Sequence, residues 1–495
     1  MKKDCLLFCT ILSICVSCGV SRKGAFNPAK KYSPTELQEE FSILQKALYA
    51  NHPSLYWYTS KDSVDGYFAS TYASLQDSLT QPQFRNKIAW AISKIRCGHT
   101  TVRLSKNAAP YLNRQRSAQF PLLLKVWNDS AVVIANVSAT DSTLQRGTIV
   151  TAINGKPTSQ ILDSLCQLIG TDGYANNFKY QAISFNFPAY YRNAFGSDSL
   201  YAVTYVDTTG LLKERTLKAF FPKPDSTEKV DEPFSNKITR KQLKQLRLNG
   251  YRNFRIDTAL QTAFMSVNTF SEGKLVRFFR KSFKKIKQQQ LKNVVIDLRL
   301  NTGGSVIAST RLSQYLIDKP FRIADTIAAV SRSFEHKKYI KPWFIYWLSM
   351  HLSGRKSKED GRIHFRYFEK HQYKPEKKNH FDGNIYLLTG GYTFSAATLV
   401  TAHLKGQQNV TIVGEETGGG SYGNTAMHLT TIVLPNTGVR VTLPLYRMVL
   451  NATRPKNGRG VFPDVEVNPS STYIKQNVDA KMENVKELIK THNPQ

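Results

Sequence analysis

The sequence contains few cysteines, few acidic residues and no long apolar run in its body. Six cysteines in 495 residues exclude a disulfide-dense scaffold. No stretch of 18 or more apolar residues follows the first 20 positions, which excludes a polytopic membrane protein. Asp and Glu number 36 against 68 Lys and Arg, so the formal net charge is +32. A chain this basic is attracted to polyanions, whether nucleic acid, anionic lipid or an acidic cell surface.

Several functional motifs are also missing. The ten histidines and the carboxylates show neither H-E-x-x-H nor C-x-x-C spacing, so we predict no metal ion. No phosphate-binding G-x-x-x-x-G-K-S/T loop occurs, and we predict no cofactor. No motif that reads RNA or DNA is present, so we expect no nucleic-acid partner in spite of the basic charge.

The first residues have the features of an export signal. Residues 1–18 combine a short basic start, about a dozen apolar residues and small residues at the end. The ending resembles a bacterial lipoprotein signal, in which Cys18 becomes the lipidated first residue of the mature chain; plain secretion and an uncleaved anchor are the alternatives. We therefore predict a membrane-anchored envelope lipoprotein, periplasmic or surface-exposed, with a tether at 19–32. Only Cys97 and Cys166 remain in the body, and the sequence leaves open whether they form a disulfide.

Changes of pattern divide the body into units. A capped start at Ser33 and apolar residues at helical spacing indicate a helical region. Short apolar runs from Phe120, one ending in the turn pair Asn154 and Gly155, indicate a β-rich module, and alternating strands and helices from Phe264 indicate an α/β core. We predict an α+β multidomain fold with a helical region at 33–115, a β-rich module at 116–222, a basic connector at 223–256, a core at 257–470 with an insertion at about 331–380, and a C-terminal helix and tail at 471–495. We expect residues 478–491 to form one exposed helix.

Two glycine-containing turns carry residues suited to acyl transfer. One follows a buried strand and contains Gly303 and Gly304, whose N–H groups can stabilise an oxyanion; the alternative is an ordinary strand-ending turn. In the other turn, Ser395 opens a helix, where the helix dipole favours a developing anion and the Ala396 N–H can assist. The alternative is that Ser395 is only an N-cap.

A serine nucleophile needs a base, and His99 is the candidate. It follows Gly98, which allows the backbone to approach another segment closely. The alternative for a single histidine is a purely structural role. Cys97, two positions earlier, lacks the turn-and-helix context of Ser395, and we interpret it as a small packed residue.

Five segments together resemble serine peptidase family S41, the C-terminal-processing or tail-specific peptidases. In the family's order, Arg146–Pro157 resembles its PDZ signature, Val295–Gly304 its D-L-R-N-x-G-G turn, Thr393–Thr398 its S-A-S-E segment, Thr411–Glu415 its V-G-E strand and Gly460–Val465 its closing G-V-x-P-D element. The likeness covers about residues 33–470. It implies a helical N-terminal region, a PDZ-like module and a crotonase-like α/β protease core, with Ser395 as nucleophile.

The sequence departs from the Ser–Lys branch of that family. The window Thr417–Ser421 contains no lysine where that branch carries its base. The segment Gly98-His99 is similar to the Ser–His, tricorn-core-like branch, so the resemblance implies His99 as base. That branch has a Glu near the closing element, where this chain has Asn457. The resemblance thus implies a catalytic set of Ser395, His99 and Asn457.

These features predict an exported serine endopeptidase that cleaves peptides or proteins and recognises C-terminal tails through the PDZ-like module. That module is alternatively a lid or spacer. The competing functions are an inactive or weak homologue that binds peptides, and an envelope protein that binds membranes or polyanions. Residues 237–292 contain 15 Lys and Arg against 2 Asp and Glu, and the basic, aromatic-rich segment 331–378 suits an anionic membrane surface. For residues 237–292 the alternative is a core-packed helix with a solvated basic face. For residues 331–378 the alternative is a buried loop helix.

Overall fold

The structure is a computed structural model, and it describes residues 26–114, 117–138, 141–222 and 239–492. The predicted signal with Cys18, the first half of the predicted tether and the first part of the basic connector lie outside these residues. Within them the chain is a mixed α/β, multidomain protein. No helix of the described ranges is both long and apolar enough to span a bilayer.

The helices of the described residues begin near the points that the sequence predicts. The capping box is present at Ser33, whose hydroxyl accepts from the Glu36 N–H while the Glu36 carboxylate accepts from the Ser33 N–H. In chain order the helices are Pro34–Asn51 (α1), Lys61–Ala73 (α2), Gln81–Ser93 (α3), Ala108–Arg114 (α4), Thr158–Cys166 (α5), Asn177–Phe185 (α6), Phe187–Phe195 (α7), Arg240–Tyr251 (α8), Leu275–Gln288 (α9), Val306–Leu316 (α10), Trp343–Ser353 (α11), Arg366–Lys370 (α12), Ala396–Leu404 (α13), Ser471–Gln476 (α14) and Ala480–His492 (α15), with a 3-10 turn at Lys337–Tyr339.

The strands of the described residues follow the same numbering scheme. In chain order they are Lys31–Tyr32 (β1), Leu79–Thr80 (β2), Val102–Arg103 (β3), Leu122–Trp127 (β4), Ser130–Asn136 (β5), Ile149–Ile153 (β6), Lys156–Pro157 (β7), Leu200–Val206 (β8), Leu212–Lys218 (β9), Arg252–Asp257 (β10), Thr262–Val267 (β11), Asn293–Asp297 (β12), Thr326–Ala329 (β13), Ile340–Lys341 (β14), Arg355–Lys356 (β15), Ile363–His364 (β16), Asn384–Thr389 (β17), Val410–Gly414 (β18), Gly423–Val433 (β19), Arg440–Val449 (β20) and Val465–Glu466 (β21).

The main sheet of the core is mostly parallel, with strand order β10-β11-β12-β17-β18-β21. Strands β11, β12, β17, β18 and β21 pair in parallel, and β10 adds an antiparallel edge. Strands buried on both faces are expected to be continuously apolar, and β12 and β17 are buried along most of their length. Parallel strands end at the same edge of a sheet. The turns after β12 and β17, which carry Gly303 and Ser395, therefore lie side by side.

A second, antiparallel sheet was not predicted from the sequence. Its strand order is β14-β19-β20-β13-β16-β15, and β3 pairs with β20. The helices α1–α3 share one continuous buried cluster with both of these sheets. The helical region therefore packs against the core as part of the same buried cluster, although the sequence predicts it as a separate unit.

The β-rich module has its own sheet and its own core. Its antiparallel strands run in the order β4-β5-β6-β8-β9, with β7 against β6, and their apolar side chains form a separate buried cluster with α5–α7. The predicted strands of this module form within about two residues of their expected ends. An amphipathic period of two explains that agreement.

Three surface expectations can be compared with the structure. The C-terminal helix α15 was predicted to be exposed, and this is wrong because Val485 and Ile489 are buried against the core sheet. Helix α9 buries its apolar stripe and exposes its basic residues, as the core-packed alternative expected. Helix α11 is not a buried loop helix, since Met350 is its one buried residue.

Candidate active site

Ser395 occupies a strained position between a strand and a helix. Strand β17 ends at Thr389, two glycines turn the chain, and Ser395 lies directly before α13 with φ 53° and ψ −120°. A non-glycine residue in such a backbone conformation costs about 1–3 kcal/mol, and such strain clusters at functional sites. The Ser395 side chain makes no capping hydrogen bond to α13, so it is not a conventional N-cap. Its hydroxyl is therefore not committed to the helix it precedes.

The Ser395 turn is tied to the glycine turn that follows β12. The Thr393 hydroxyl donates to the Leu298 carbonyl at 3.0 Å, and the Phe394 N–H donates to the Asn301 carbonyl at 3.1 Å. These bonds fix the two residues before the nucleophile candidate against the neighbouring strand end. Both turns sit where parallel strands of α/β sheets present ligand-binding loops.

Gly303 allows the two turns to touch. It has φ +100°, and a Cβ added to it would lie 2.7 Å from the Ser395 Cβ and 3.0 Å from the Ala396 nitrogen. Its N–H donates to the Asn301 side-chain oxygen at 2.8 Å, so it is not available to an oxyanion. Within the described residues the N–H groups of Gly304 and Ala396 donate to no protein acceptor. This corrects the predicted oxyanion set: Gly303 provides close approach, and the candidate donors are Gly304 and Ala396.

The structure brings His99 to the Ser395 turn. The imidazole is buried, and its ring centroid lies 4.7 Å from that of Phe394, the residue before Ser395. Gly98 permits this approach, because a Cβ there would lie 2.6 Å from the Phe394 ring. Two segments almost three hundred positions apart in sequence therefore meet at one point.

Buried polar atoms without partners accumulate around His99. Among the described residues, neither ring nitrogen of His99 has a hydrogen-bond partner, and the same holds for the Asp172 Oδ2 and the Tyr58 hydroxyl. Asp172 Oδ1 lies 3.8 Å from the His99 Nδ1, beyond hydrogen-bond distance but within the range of an ion pair. Burial raises the pKa of Tyr58, and the Asp172 carboxylate adds to that shift. Native proteins rarely leave such groups unpaired, so this cluster requires a functional explanation.

Asn457 does not lie against His99 as the sequence implied. Its side chain is exposed, and its oxygen accepts the Arg459 N–H at 3.0 Å within its own turn. The acidic residue beside His99 is Asp172, which sequence reasoning missed. The available signal was the polar stretch Thr171-Asp172-Gly173 in the middle of the β-rich module.

The remaining candidates behave as packed residues. Cys97 is buried, burial raises its pKa to about 11, and its sulfur contacts the Thr425 and Thr100 hydroxyls at 2.6 and 3.2 Å. Cys97 and Cys166 are both free, so the disulfide left open above does not form. In the described part of the chain, no three His, Cys, Asp or Glu side chains are grouped as metal ligands would be.

The glycine-rich stretch after β18 packs against the Ser395 turn. A Cβ on Gly419 would lie 2.2 Å from the Thr398 hydroxyl and 3.1 Å from the Ser395 nitrogen. This is the window in which the Ser–Lys branch carries its lysine. Here it contributes backbone alone and supplies no base to the turn.

Residues 261–467, which contain both glycine turns and Ser395, match the family model Peptidase family S41. Residues 261–467 form an S41 peptidase domain. The chain is therefore a serine-type peptidase, and the resemblance to family S41 is confirmed for the segments that lie within this domain. No curated protein matches the sequence.

The S41 assignment agrees with the fold of solved structures. The crystal structure of mature CPAF aligns with a TM-score of 0.63 and 13% sequence identity, covering 93% of this chain and 99% of that chain. A CPAF mutant aligns with a TM-score of 0.65 and 14% identity, covering 92% and 97% of the two chains. At this identity the likeness supports the S41 fold and leaves the roles of individual residues to the geometry.

Proposed function

We propose that the chain is an exported S41 serine endopeptidase in which Ser395 is the nucleophile and His99 is the general base. The observation that carries this proposal is the 4.7 Å approach of the buried His99 ring to Phe394, directly before a strained Ser395. A base, a serine outside the usual backbone regions and free amides are the parts that acyl transfer needs. We further propose that the β-rich module is PDZ-like and that the parallel-sheet core is crotonase-like.

The proposed reaction uses these groups in a fixed order. Ser395 Oγ forms a bond to the peptide carbonyl carbon while its proton passes to His99, and the carbonyl electrons move to the oxygen. The oxyanion accepts hydrogen bonds from the N–H groups of Gly304 and Ala396. Collapse breaks the C–N bond, and His99 gives its proton to the leaving amine. Water, deprotonated by His99, then hydrolyses the acyl-enzyme.

A Ser395→Ala variant tests the nucleophile. We expect a fluorescent fluorophosphonate to label the wild-type protein and not this variant, and cleavage of a quenched peptide library to fall by at least about 10⁴-fold. Ser421→Ala, another serine in a glycine-flanked turn, is the matched control and should retain labelling. Persistent labelling or cleavage by Ser395→Ala contradicts the assignment. An unlabelled, inactive wild type supports the alternative of an inactive peptide-binding homologue.

Export and lipidation complete the proposed location. We propose that Cys18 is the lipidated residue and that it holds the enzyme at a membrane of the cell envelope. In the native host, Cys18→Ser should move the protein from the membrane fraction to the soluble fraction. Unchanged fractionation and no incorporation of a labelled fatty acid would contradict this.

Recognition of substrate tails by the module competes with a spacer role. β4 is an edge strand, to which an extended peptide can add. Helix α6 packs beside it, and the Ser184 hydroxyl contacts the Val126 nitrogen at 2.8 Å and oxygen at 3.3 Å. That contact favours the spacer role, because a peptide must displace it. Peptides with free and amidated C-termini should be cleaved equally if the module is a spacer, and a preference of tenfold or more for the free carboxylate supports tail recognition.

We also propose that α11 rests on an anionic bilayer. Its exposed apolar side chains share one face because they are spaced by four residues: Phe344 is 54% exposed, Leu348 37% and Leu352 60%. Basic residues flank both ends of α11 and form no ion pair with a carboxylate of the described ranges: Lys337, Lys338, Lys341, Arg355, Lys356 and Lys358. An apolar helix face with lysines at its ends is typical of membrane-surface helices.

The position and charge of α11 favour lipid over a second copy of the chain. The Lys337 and Lys338 side chains line a groove with Thr35 at the start of α1. The nine residues from Cys18 to Phe26 would reach about 25–30 Å when extended, so a lipid on Cys18 and α11 can face the same bilayer. A symmetric dimer through α11 would instead place its lysines opposite each other.

Vesicle binding by the full chain with Cys18→Ser tests this surface without the lipid. We expect binding to phosphatidylglycerol vesicles at low salt and little binding to phosphatidylcholine vesicles. Changing Phe344, Leu348 and Leu352 to Ser should weaken binding about tenfold or more, whereas Leu211→Ser with Leu212→Ser, which alters an exposed hairpin of the module, should not. Equal binding by both variants, or concentration-dependent dimerisation lost only with the α11 changes, would contradict the proposal.

A further inference from the structure

The buried carboxylate of Asp172 lies beside the imidazole of His99. The two side chains are 3% and 7% exposed, and the Asp172 Oδ1 and the His99 Nδ1 are 3.8 Å apart. Oδ2 of Asp172 has no hydrogen-bond partner among the described residues. A carboxylate in this position can hydrogen-bond the imidazole and can stabilise a positive charge that forms on it during a reaction.

The backbone holds Asp172 where it is. Oδ1 accepts the Gly98 N–H at 2.9 Å, which joins the carboxylate directly to the residue before His99. The two residues that follow Asp172 are bonded as well: the Gly173 N–H donates to the Arg96 carbonyl at 3.0 Å and the Tyr174 N–H to the Gly458 carbonyl at 2.7 Å. The Asp172 loop is therefore fixed to the helical region and to the core at once.

We propose that Asp172 is the positioning residue for His99, in the role that the family resemblance implied for Asn457. Asp172 accepts from the Nδ1–H of His99, directs Nε2 towards Ser395, and stabilises the imidazolium that forms when Ser395 loses its proton. The 3.8 Å separation closes by about 1 Å when substrate fills the site, since catalytic hydrogen bonds are often long in free enzymes. This inference rests on the proposed function.

The proposal gives the β-rich module a catalytic purpose. Asp172 lies between α5 and α6, both of which pack in the core of the module. The nucleophile, the base and its positioning residue then come from three separate units. The site is complete only when the module is docked.

The Asp172→Asn variant isolates the charge. Asn keeps an oxygen for the Gly98 N–H, so the loop should hold its shape while the carboxylate is lost. We expect kcat to fall about 10²–10⁴-fold with KM changed by less than threefold, and the rate of fluorophosphonate labelling to fall in parallel. Asp172→Glu should recover at least tenfold of that loss, because it restores a carboxylate.

Two controls separate this inference from the proposed function. Asn457→Ala should retain kcat within threefold, and thermal melting should place Asp172→Asn within about 2 °C of the wild type. The inference fails if Asp172→Asn keeps wild-type kcat and labelling rate, or if its loss appears only as a lowered melting temperature. The proposed function fails separately if Ser395→Ala remains active or labelled. A wild type that labels but cleaves no peptide of the library still tests Asp172 through the labelling rate.

Discussion

Two groups of polar side chains flank the Ser395 turn, and they differ in how their charges are satisfied. On one side, His99 and Asp172 are buried and leave both ring nitrogens and one carboxylate oxygen without partners among the described residues. On the other side, the Arg299 guanidinium bonds Asp297 at 2.7 Å and Asp479 at 2.6 Å. In the proposed mechanism the unpaired group takes part in the reaction, whereas we expect the paired group to contribute to stability.

The paired group ties the C-terminal helix to the core. Lys481 of α15 forms an ion pair with Glu415 and donates to the Thr389 carbonyl at 3.3 Å, at the end of the strand that leads to Ser395. Burial raises the pKa of Glu415, but the Lys481 ammonium outweighs it and holds that pKa below its usual range. Substitutions in the two groups should therefore separate activity from stability.

The largest expected effect is on the unpaired side. His99→Ala should lower kcat/KM by about 10³-fold or more, because no other base replaces the imidazole. Its melting temperature should stay within about 2 °C, since lost packing on Phe394 is offset by removal of two unpaired nitrogens. Peptide cleavage and thermal melting of the same preparation measure both. A strongly destabilised His99→Ala variant would mean that His99 is structural. The unpaired and paired groups would then not differ in the way proposed here.

Gly303→Ala tests the contact between the turns. The added methyl would lie 2.7 Å from the Ser395 Cβ, and alanine disfavours φ +100°. We expect kcat to fall about 10²-fold through displacement of the nucleophile, with Gly361→Ala as a control at an exposed turn glycine with nothing within 4 Å of the added Cβ. Wild-type activity in Gly303→Ala would show that the turns do not need this close approach.

On the paired side, Lys481→Met should reduce stability and spare activity. It leaves the Glu415 carboxylate half-enclosed without its cation, and breaking a buried pair costs about 3–5 kcal/mol before discounting for solvent access. We expect the melting temperature to fall by about 5–10 °C while kcat stays within threefold below that temperature. Lys490→Met, on the same helix but exposed, should change neither quantity. A large loss of kcat in Lys481→Met would show that the paired group also affects activity, which contradicts the proposed separation.

The smallest expected effect is the acid response of the paired group. A carboxyl with a depressed folded pKa adds stability above its unfolded pKa of about 4.3, and this is lost as the pH falls through the folded pKa. Melting temperature should therefore drop more steeply below about pH 4.5 in the wild type than in Glu415→Gln. Parallel curves would indicate that the Lys481 pair contributes no pH-dependent stability.

Sequence patterns were sufficient to predict the strands and turns that carry Ser395 and Gly303. β12 and β17 are continuous apolar strands that end in glycine turns, and local periodicity reports both features. The same reasoning missed β19 and β20, because β19 mixes Asn424, Thr425 and His428 with its apolar residues and alternation is weak. It also left α15 exposed, since its two buried residues are few among charged neighbours.

The position of Asp172 could not be read from local patterns. Its contact with His99 joins residues 73 positions apart through a loop that has no periodicity of its own, and only the packing of the module on the helical region creates it. Asn457 was assigned by likeness to a family position, and the fold directs it to solvent instead. Long-range pairing between loops is the information that a single sequence lacks.

The order of the site along the chain has a consequence for biosynthesis. His99 belongs to the first third of the chain, whereas Ser395 and the helix that closes the core sheet come near its end. In the proposed peptidase, a partly synthesised chain therefore carries the proposed base and lacks the proposed nucleophile. For that mechanism, cleavage of neighbouring chains begins only after the residues from Ser395 onward have been made and have packed.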